Sequence, residues 1–324
     1  MRKLIVLYLL LMLFSGCVED YDLYRDEIVP RLVVEGLITN KPGPYYIRLT
    51  KSQTGSFKEP DYGYTDAAIA VKDAQIIISD NINQIDTLIP VDVNLNEYTL
   101  DRYGYYKLLY DSIGNIIDTL FLKDPPAFNY TRGFYKTKHL IGIPGRTYFL
   151  KISSEGKKYE ASAYMPPVPD IDSLKYEKKI SEKDGQAYYI PLLFFDEPQE
   201  TLNYYLIQLM DEISARSVSS NTLWQFSVLS DENLQPYVRG LNISLGETPR
   251  GIIYPIYHEG DSIYVAFSSL TKEAFDFYKA LLAQFYNDGG AYQPSPGSPP
   301  TNINNGALGC FRASSVTEKR TKIK

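Results

Sequence analysis

The sequence predicts a mainly β chain, a sandwich first and then a second strand-rich region carrying one amphipathic helix. Three observations support this. Tyr occurs 29 times and Phe 14 times, beside many Ile, Val and Thr, the residues that suit a pleated, half-buried surface. Short stretches of alternating apolar and polar residues are separated by turn residues at regular spacing. Long helical stretches are nearly absent, so nothing supplies the crossovers of a parallel sheet.

Taken in order, residues 32–38 read as a strand and Asn40-Lys41-Pro42-Gly43-Pro44 as a turn. On the return strand Tyr45, Ile47 and Leu49 alternate with Tyr46, Arg48 and Thr50. Residues 75–79 and 84–89 form a second hairpin around Asp80-Asn81, and 105–110 with 116–122 a third around Ser112-Ile113-Gly114-Asn115. Pro144-Gly145 launches 147–153, with Tyr148, Leu150 and Ile152 on one face, and Glu155-Gly156 turns the chain back into 159–163. Together 31–165 are expected to form an Ig-like or transthyretin-like β-sandwich.

Met165-Pro166-Pro167-Val168-Pro169 interrupts regular structure and sets a domain boundary. The second region, 171–324, has strands expected at 188–195, 203–210, 223–229, 252–257 and 262–267. Its helix, at about 272–286, begins with Thr271 as N-cap and Phe275 packing back onto Leu270. Phe275, Tyr278, Leu282 and Phe285 share one stripe, flanked by Ala274 and Leu281, and Asn287-Asp288-Gly289-Gly290 ends it. Residues 291–305 are rich in Pro, Gly, Ser and Asn and read as a long loop whose ends are fixed and whose body is free to contact a partner.

The N-terminus predicts export. Arg2 and Lys3 precede an apolar run at 4–14, followed by the small pair Ser15-Gly16. That is the pattern of a secretory signal over 1–16, with a core too short for a spanning helix. Leu13-Phe14-Ser15-Gly16-Cys17 resembles the lipobox of bacterial lipoproteins, with Phe14 where Leu is usual. The resemblance makes Cys17 the lipidated first residue of the mature chain, anchored in membrane lipid by more than one acyl chain. Residues 17–30 read as a polar, acidic tether. Only Cys310 remains, in Gly309-Cys310-Phe311, so no disulfide framework is available and Cys310 reads as a small buried apolar residue.

Net charge is −6 with both signs interspersed, which argues against a nucleic-acid partner. The two histidines, His139 and His258, fall in different predicted regions, and no Cys/His cluster has metal-ligand spacing. His258-Glu259-Gly260-Asp261-Ser262 is the nearest approach to a hydrolase motif, but Ser262 leaves a turn and enters a strand instead of opening a helix. Asp196-Glu197 reads as a strand end, since adjacent strand residues point to opposite faces. No enzymatic activity, cofactor or metal is expected.

Several segments in order carry a family resemblance: Leu32-Val33-Val34-Glu35-Gly36, Ile143-Pro144-Gly145-Arg146-Thr147-Tyr148, Pro166-Pro167-Val168-Pro169-Asp170-Ile171-Asp172-Ser173-Leu174, Ser269-Leu270-Thr271-Lys272-Glu273-Ala274-Phe275, and Asn304-Asn305-Gly306-Ala307-Leu308-Gly309-Cys310-Phe311-Arg312. Behind the signal and lipobox, they make the chain resemble the Bacteroidota lipoprotein family known as domain of unknown function 4249. The resemblance implies an outer-membrane lipoprotein, often beside a TonB-dependent transporter, and no established activity. Glu19, Asp20 and Asp22 resemble the acidic signal that sends such lipoproteins to the outer face. Five Asp-Ser/Thr-aliphatic triplets resemble the O-glycosylation sites of exported Bacteroidota proteins, making Thr87, Ser112, Thr119, Ser173 and Ser262 candidate acceptors. The expected function is therefore a surface-exposed accessory of a TonB-dependent transporter. The alternative is a free-standing glycan-binding or adhesive module using aromatics such as Tyr103, Tyr105 and Tyr106.

Overall fold

The computed structural model describes residues 29–52, 69–91, 99–101, 104–121, 133–182, 184–210, 226–244, 257–286 and 297–324. The signal segment, Cys17 and almost all of the tether lie outside them, as do Tyr103 and 291–296. Among the described residues the fold is mainly β, with one α-helix and no closed barrel.

The first half contains β1 (Leu32–Thr39), β2 (Tyr46–Lys51), β3 (Ile69–Ala70), β4 (Gln75–Asp80), β5 (Ile85–Thr87) and β6 (Ile89–Pro90). It continues with β7 (Thr99–Asp101), β8 (Gly104–Tyr110), β9 (Ile116–Phe121), β10 (Phe134–Lys136), β11 (Thr147–Ser154) and β12 (Lys157–Tyr164). One sheet contains β1, β2, β10 and β6 in that order, with β3 on β2, and a second runs β12-β11-β4-β5. Between them Val34, Ile38, Ile47 and Leu49 meet Ile76, Ile78, Tyr148, Leu150 and Ile152, all buried in one core. The alternation on β11 is as read from sequence. On β2, Tyr46 and Thr50 are buried as well, so that strand is covered on both faces. The hairpin of β8 and β9 pairs with β7 in a sheet of its own.

The second half contains β13 (Ile171–Ile180), β14 (Ala187–Asp196), β15 (Tyr204–Met210), β16 (Phe226–Ser230), β17 (Tyr237–Asn242) and β18 (Ser262–Leu270). Then come α1 (Lys272–Tyr286), β19 (Leu308–Ser314) and β20 (Val316–Lys322). The sheets β13-β14-β17 and β16-β15-β18-β20 enclose a second core around Phe195, Tyr205 and Phe267, whose rings lie 4.7 to 6.2 Å apart. The helix covers part of the latter sheet's other face. Its N-cap is Thr271, whose Oγ1 accepts from the Ala274 N–H at 3.3 Å. Leu270, Ala274 and Phe275 are buried with Leu206 and Phe226, and the Phe275 and Tyr204 rings stand 4.8 Å apart.

Met165 belongs to the first core and Ile171 to the second, so the Pro-rich segment does separate two cores. The C-terminal stretch, however, does not stay with the second. β19 pairs in parallel with β1, from Val33↔Leu308 to Thr39↔Ser314, and Ile303, Ala307, Phe311 and Ala313 enter the first core. The connection that a parallel pair requires is here the whole second sandwich. Gly309 permits the approach: its φ is +92°, and a Cβ there would stand 2.0 Å from the Val34 carbonyl oxygen.

The crossing is locked in place. The Ser269 and Ser315 hydroxyls both donate to the Pro166 carbonyl at 2.6 Å, and the Val316 N–H donates to Asn40 Oδ1 at 2.8 Å. The end of the expected free loop is also fixed. Asn302 donates to the carbonyls of Phe311 and Ser162, Asn304 exchanges two hydrogen bonds with Glu160, and Ile303 is buried opposite Ala161. Residues 302–304 therefore lie along β12, and a loop body free for a partner does not extend to them.

Candidate functional site

Two loops at one end of the first sandwich are stitched into a rigid rim. Asp80, the last residue of β4, accepts from the N–H groups of Ile82 and Gln84 at 3.0 and 2.7 Å, closing the turn that joins β4 to β5. Arg146 Nη1 donates to its other oxygen at 2.8 Å. Burial pulls the Asp80 carboxyl up, but these donors and the Arg146 charge outweigh it and hold the group below its ordinary value. Asp86 Oδ2 accepts from three successive N–H groups, of Lys138, His139 and Leu140, at 2.7 to 2.9 Å. Gln84 and Ile141 complete the seam, side-chain amide to backbone. On this frame Ile82, Ile85, Ile141 and Ile143 are 57, 59, 59 and 36% exposed. Single exposed isoleucines are ordinary, but four on two stitched segments mark a surface that gains by being covered.

The candidate acceptors are scattered. Thr87, on β5, is exposed, and so is Ser112, in the β8–β9 turn that Asp111 caps through Ile113 and Asn115. Ser173 is half-buried on β13, and Ser262 is half-buried at the start of β18, its Oγ accepting from Arg320 at 3.1 Å. Thr119 is on β9, and its side chain lies outside the described residues, as do those of Tyr105 and Tyr106. His139 and His258 are both exposed and on different sandwiches. Cys310 is buried, which pushes its thiol up to about 12, an unreactive state.

One polar cluster had no counterpart in the sequence reading. Asp196 ends β14 facing solvent, while Glu197 turns inward and is buried. Glu197 Oε1 accepts from the Tyr205 hydroxyl at 2.7 Å and from Asn203 Nδ2 at 3.1 Å. The second oxygen, Oε2, is buried without a donor, and the carboxyl is in hydrogen-bonding reach of the Asp231 carboxyl. Burial raises Glu197 to about 7; Tyr205 and Asn203 oppose the rise and Asp231 adds to it. Asp231 lies 34 positions along the chain, in a short 3-10 turn after β16.

Residues 18–320 match the family described as "Domain of unknown function (DUF4249)". The chain belongs to that family. Comparison with curated proteins and with solved structures gives no match to either. The DUF4249 description carries no activity, so chemistry has to be read from the residues themselves. Several of the segments that suggested DUF4249 serve the crossing of the chain. Gly36 stands beside Phe311, where a Cβ would meet the ring at 2.9 Å, and Asn305-Gly306 form a positive-φ turn leading into β19.

Proposed function

We propose that this DUF4249 chain is an outer-membrane lipoprotein, anchored through acylated Cys17 and facing the cell exterior, that docks on a TonB-dependent transporter through the isoleucine rim. The rim is the single observation that carries the docking role. It is apolar, exposed, and held on hydrogen-bonded turns, so a partner would cover it with little loss of conformational freedom. The residues just after Cys17, with Glu19, Asp20 and Asp22, support export to the outer face. Thr87 and Ser112, being exposed, are the acceptors open to a glycosylating enzyme on the folded chain. The glycan-binding alternative draws on Phe149 and Tyr164, exposed on β11 and β12; it predicts no dependence on the rim.

Co-purification from native outer membranes after gentle detergent extraction tests the reading. Ile85→Lys/Ile141→Lys should fold as the parent does, each change costing within about 0.5 kcal/mol at these exposed positions, and should lose the transporter. Cys17→Ser should leave an unlipidated precursor. Retention of the transporter at parental yield by the double variant would contradict docking through the rim, and palmitate incorporated into Cys17→Ser would contradict the anchor.

A further inference from the structure

The described residues begin at Val29 and enter β1 beside a cluster of cations. The Arg31 guanidinium donates to the carbonyls of Gly306 and Ala307 at 2.6 and 3.4 Å, and the Arg31 N–H donates to Ser52 Oγ at 2.9 Å. The Asn305 amide in turn donates to the Lys158 carbonyl at 3.2 Å, which joins the β11–β12 turn to the same end. Lys51, the last residue of β2, pairs with Glu155 in that turn. Lys72 stands next to Asp73, which shares a surface hollow of about 240 Å³ with residues 153–158. Arg31, Lys72, Lys157 and Lys158 are all exposed. Five cations thus meet two described carboxylates, Asp73 and Glu155, at one end of a chain whose net charge is −6.

We infer that this end is a docking surface for the phosphate-bearing headgroups of a bilayer, and that it sets the first sandwich on the membrane with the isoleucine rim outward. The inference rests on the proposed lipid anchor at Cys17. Twelve peptide steps separate Cys17 from Val29, a reach of at most about 40 Å, so the basic end is the part of the first sandwich held nearest the bilayer. Within a Debye length, about 8 Å at physiological salt, its charge is drawn to an anionic membrane face. Each lysine near such a face contributes about fivefold to the binding constant. Asp26 and Glu27 of the tether are close to Arg31 along the chain and offset part of this charge. Lys157 and Lys158 belong to the second sheet and remain for the headgroups. The rim lies at the opposite end of the sandwich: Gly142 packs against the Thr39 carbonyl where β1 finishes, whereas Arg31 precedes its start. The eight residues of β1 span about 25 Å. The rim is thereby lifted to the level of a barrel's exterior loops.

The full lipidated chain in vesicles tests this, one set made of phosphatidylcholine alone and one with a third of its lipid as phosphatidylglycerol. A water-soluble amine reagent, read by mass spectrometry, reports access to Lys157 and Lys158, with exposed Lys178 on β13 as the reference. Labelling of Lys157 and Lys158 should fall about fivefold in the anionic vesicles and leave Lys178 unchanged. It should return at about 1 M sodium chloride, where the Debye length shrinks to about 3 Å. Lys157→Glu/Lys158→Glu should abolish the accompanying protection of Lys72. Equal labelling in both vesicle types overturns the docking surface and assigns its charges to the acidic tether, and an equal fall at Lys178 overturns it too. A chain that fails to float with the neutral vesicles overturns the anchor itself, and the surface with it.

Discussion

Phe311→Ala will destabilise the protein by about 3–5 kcal/mol, the range for deleting a fully buried aromatic ring, and will lower Tm by on the order of 10 °C. The ring is fully buried on β19 and lies over Gly36, whose lack of a side chain makes room for it. Ile47 Cδ1 approaches the same point from β2. Alanine leaves a gap between strands whose register is fixed by the β1–β19 pairing, so the cavity cannot close by sliding. Because β19 follows the second sandwich yet completes the first, the damage should appear at both ends of the sequence. Hydrogen exchange should speed up in β1 and β2 as well as in β19. Acceleration confined to residues after 171 would contradict the interleaved arrangement.

Glu197→Gln is expected to raise stability above pH 7. In the folded chain the Glu197 carboxyl is lifted from its ordinary 4.5 to about 7, with burial as the main cause. Between those values the folded state holds a proton that the unfolded chain has released, so stability falls as pH rises from about 4.5 to about 7 and stays at the lower level beyond. The interval corresponds to about 3 kcal/mol at 1.36 kcal/mol per pH unit. Gln has the same shape, can donate from its amide to Asp231, accepts from Tyr205 through its oxygen, and does not titrate. Chemical denaturation at pH 5 and pH 8 should therefore show a drop in the parent that is absent from the variant. An equal drop in both would assign the pH dependence to other groups.

Much of the β architecture was legible because it is local. Asp80 and Asp111 each cap a hairpin turn four residues long, and Asx chemistry of that kind is visible in sequence. Alternation marked Tyr148, Leu150 and Ile152 as one face, and Thr271 and Phe275 announced the start of the helix. What stayed hidden is long-range. The pairing of β1 with β19 joins residues about 275 positions apart, and nothing in either strand names its partner. Asn302 and Asn304 looked like loop composition, yet their amides bind backbone groups of β12 and β19. Glu197 was read correctly as the end of a strand, but Asp231 reaches it only through the fold. The rim was equally hidden, since the segments that carry Ile82 and Ile141 are joined only through the Gln84 and Asp86 seams.

The central claim, that this end of the first sandwich meets a transporter at the membrane, is tested most directly by a photoreactive amino acid placed at position 141 in living cells. Ile180, similarly exposed but at the end of β13 in the second sandwich, serves as the control position. A cross-link from position 141 to an outer-membrane transporter, with none from position 180, is the predicted result. No cross-link from 141, or an equal one from both positions, would contradict it.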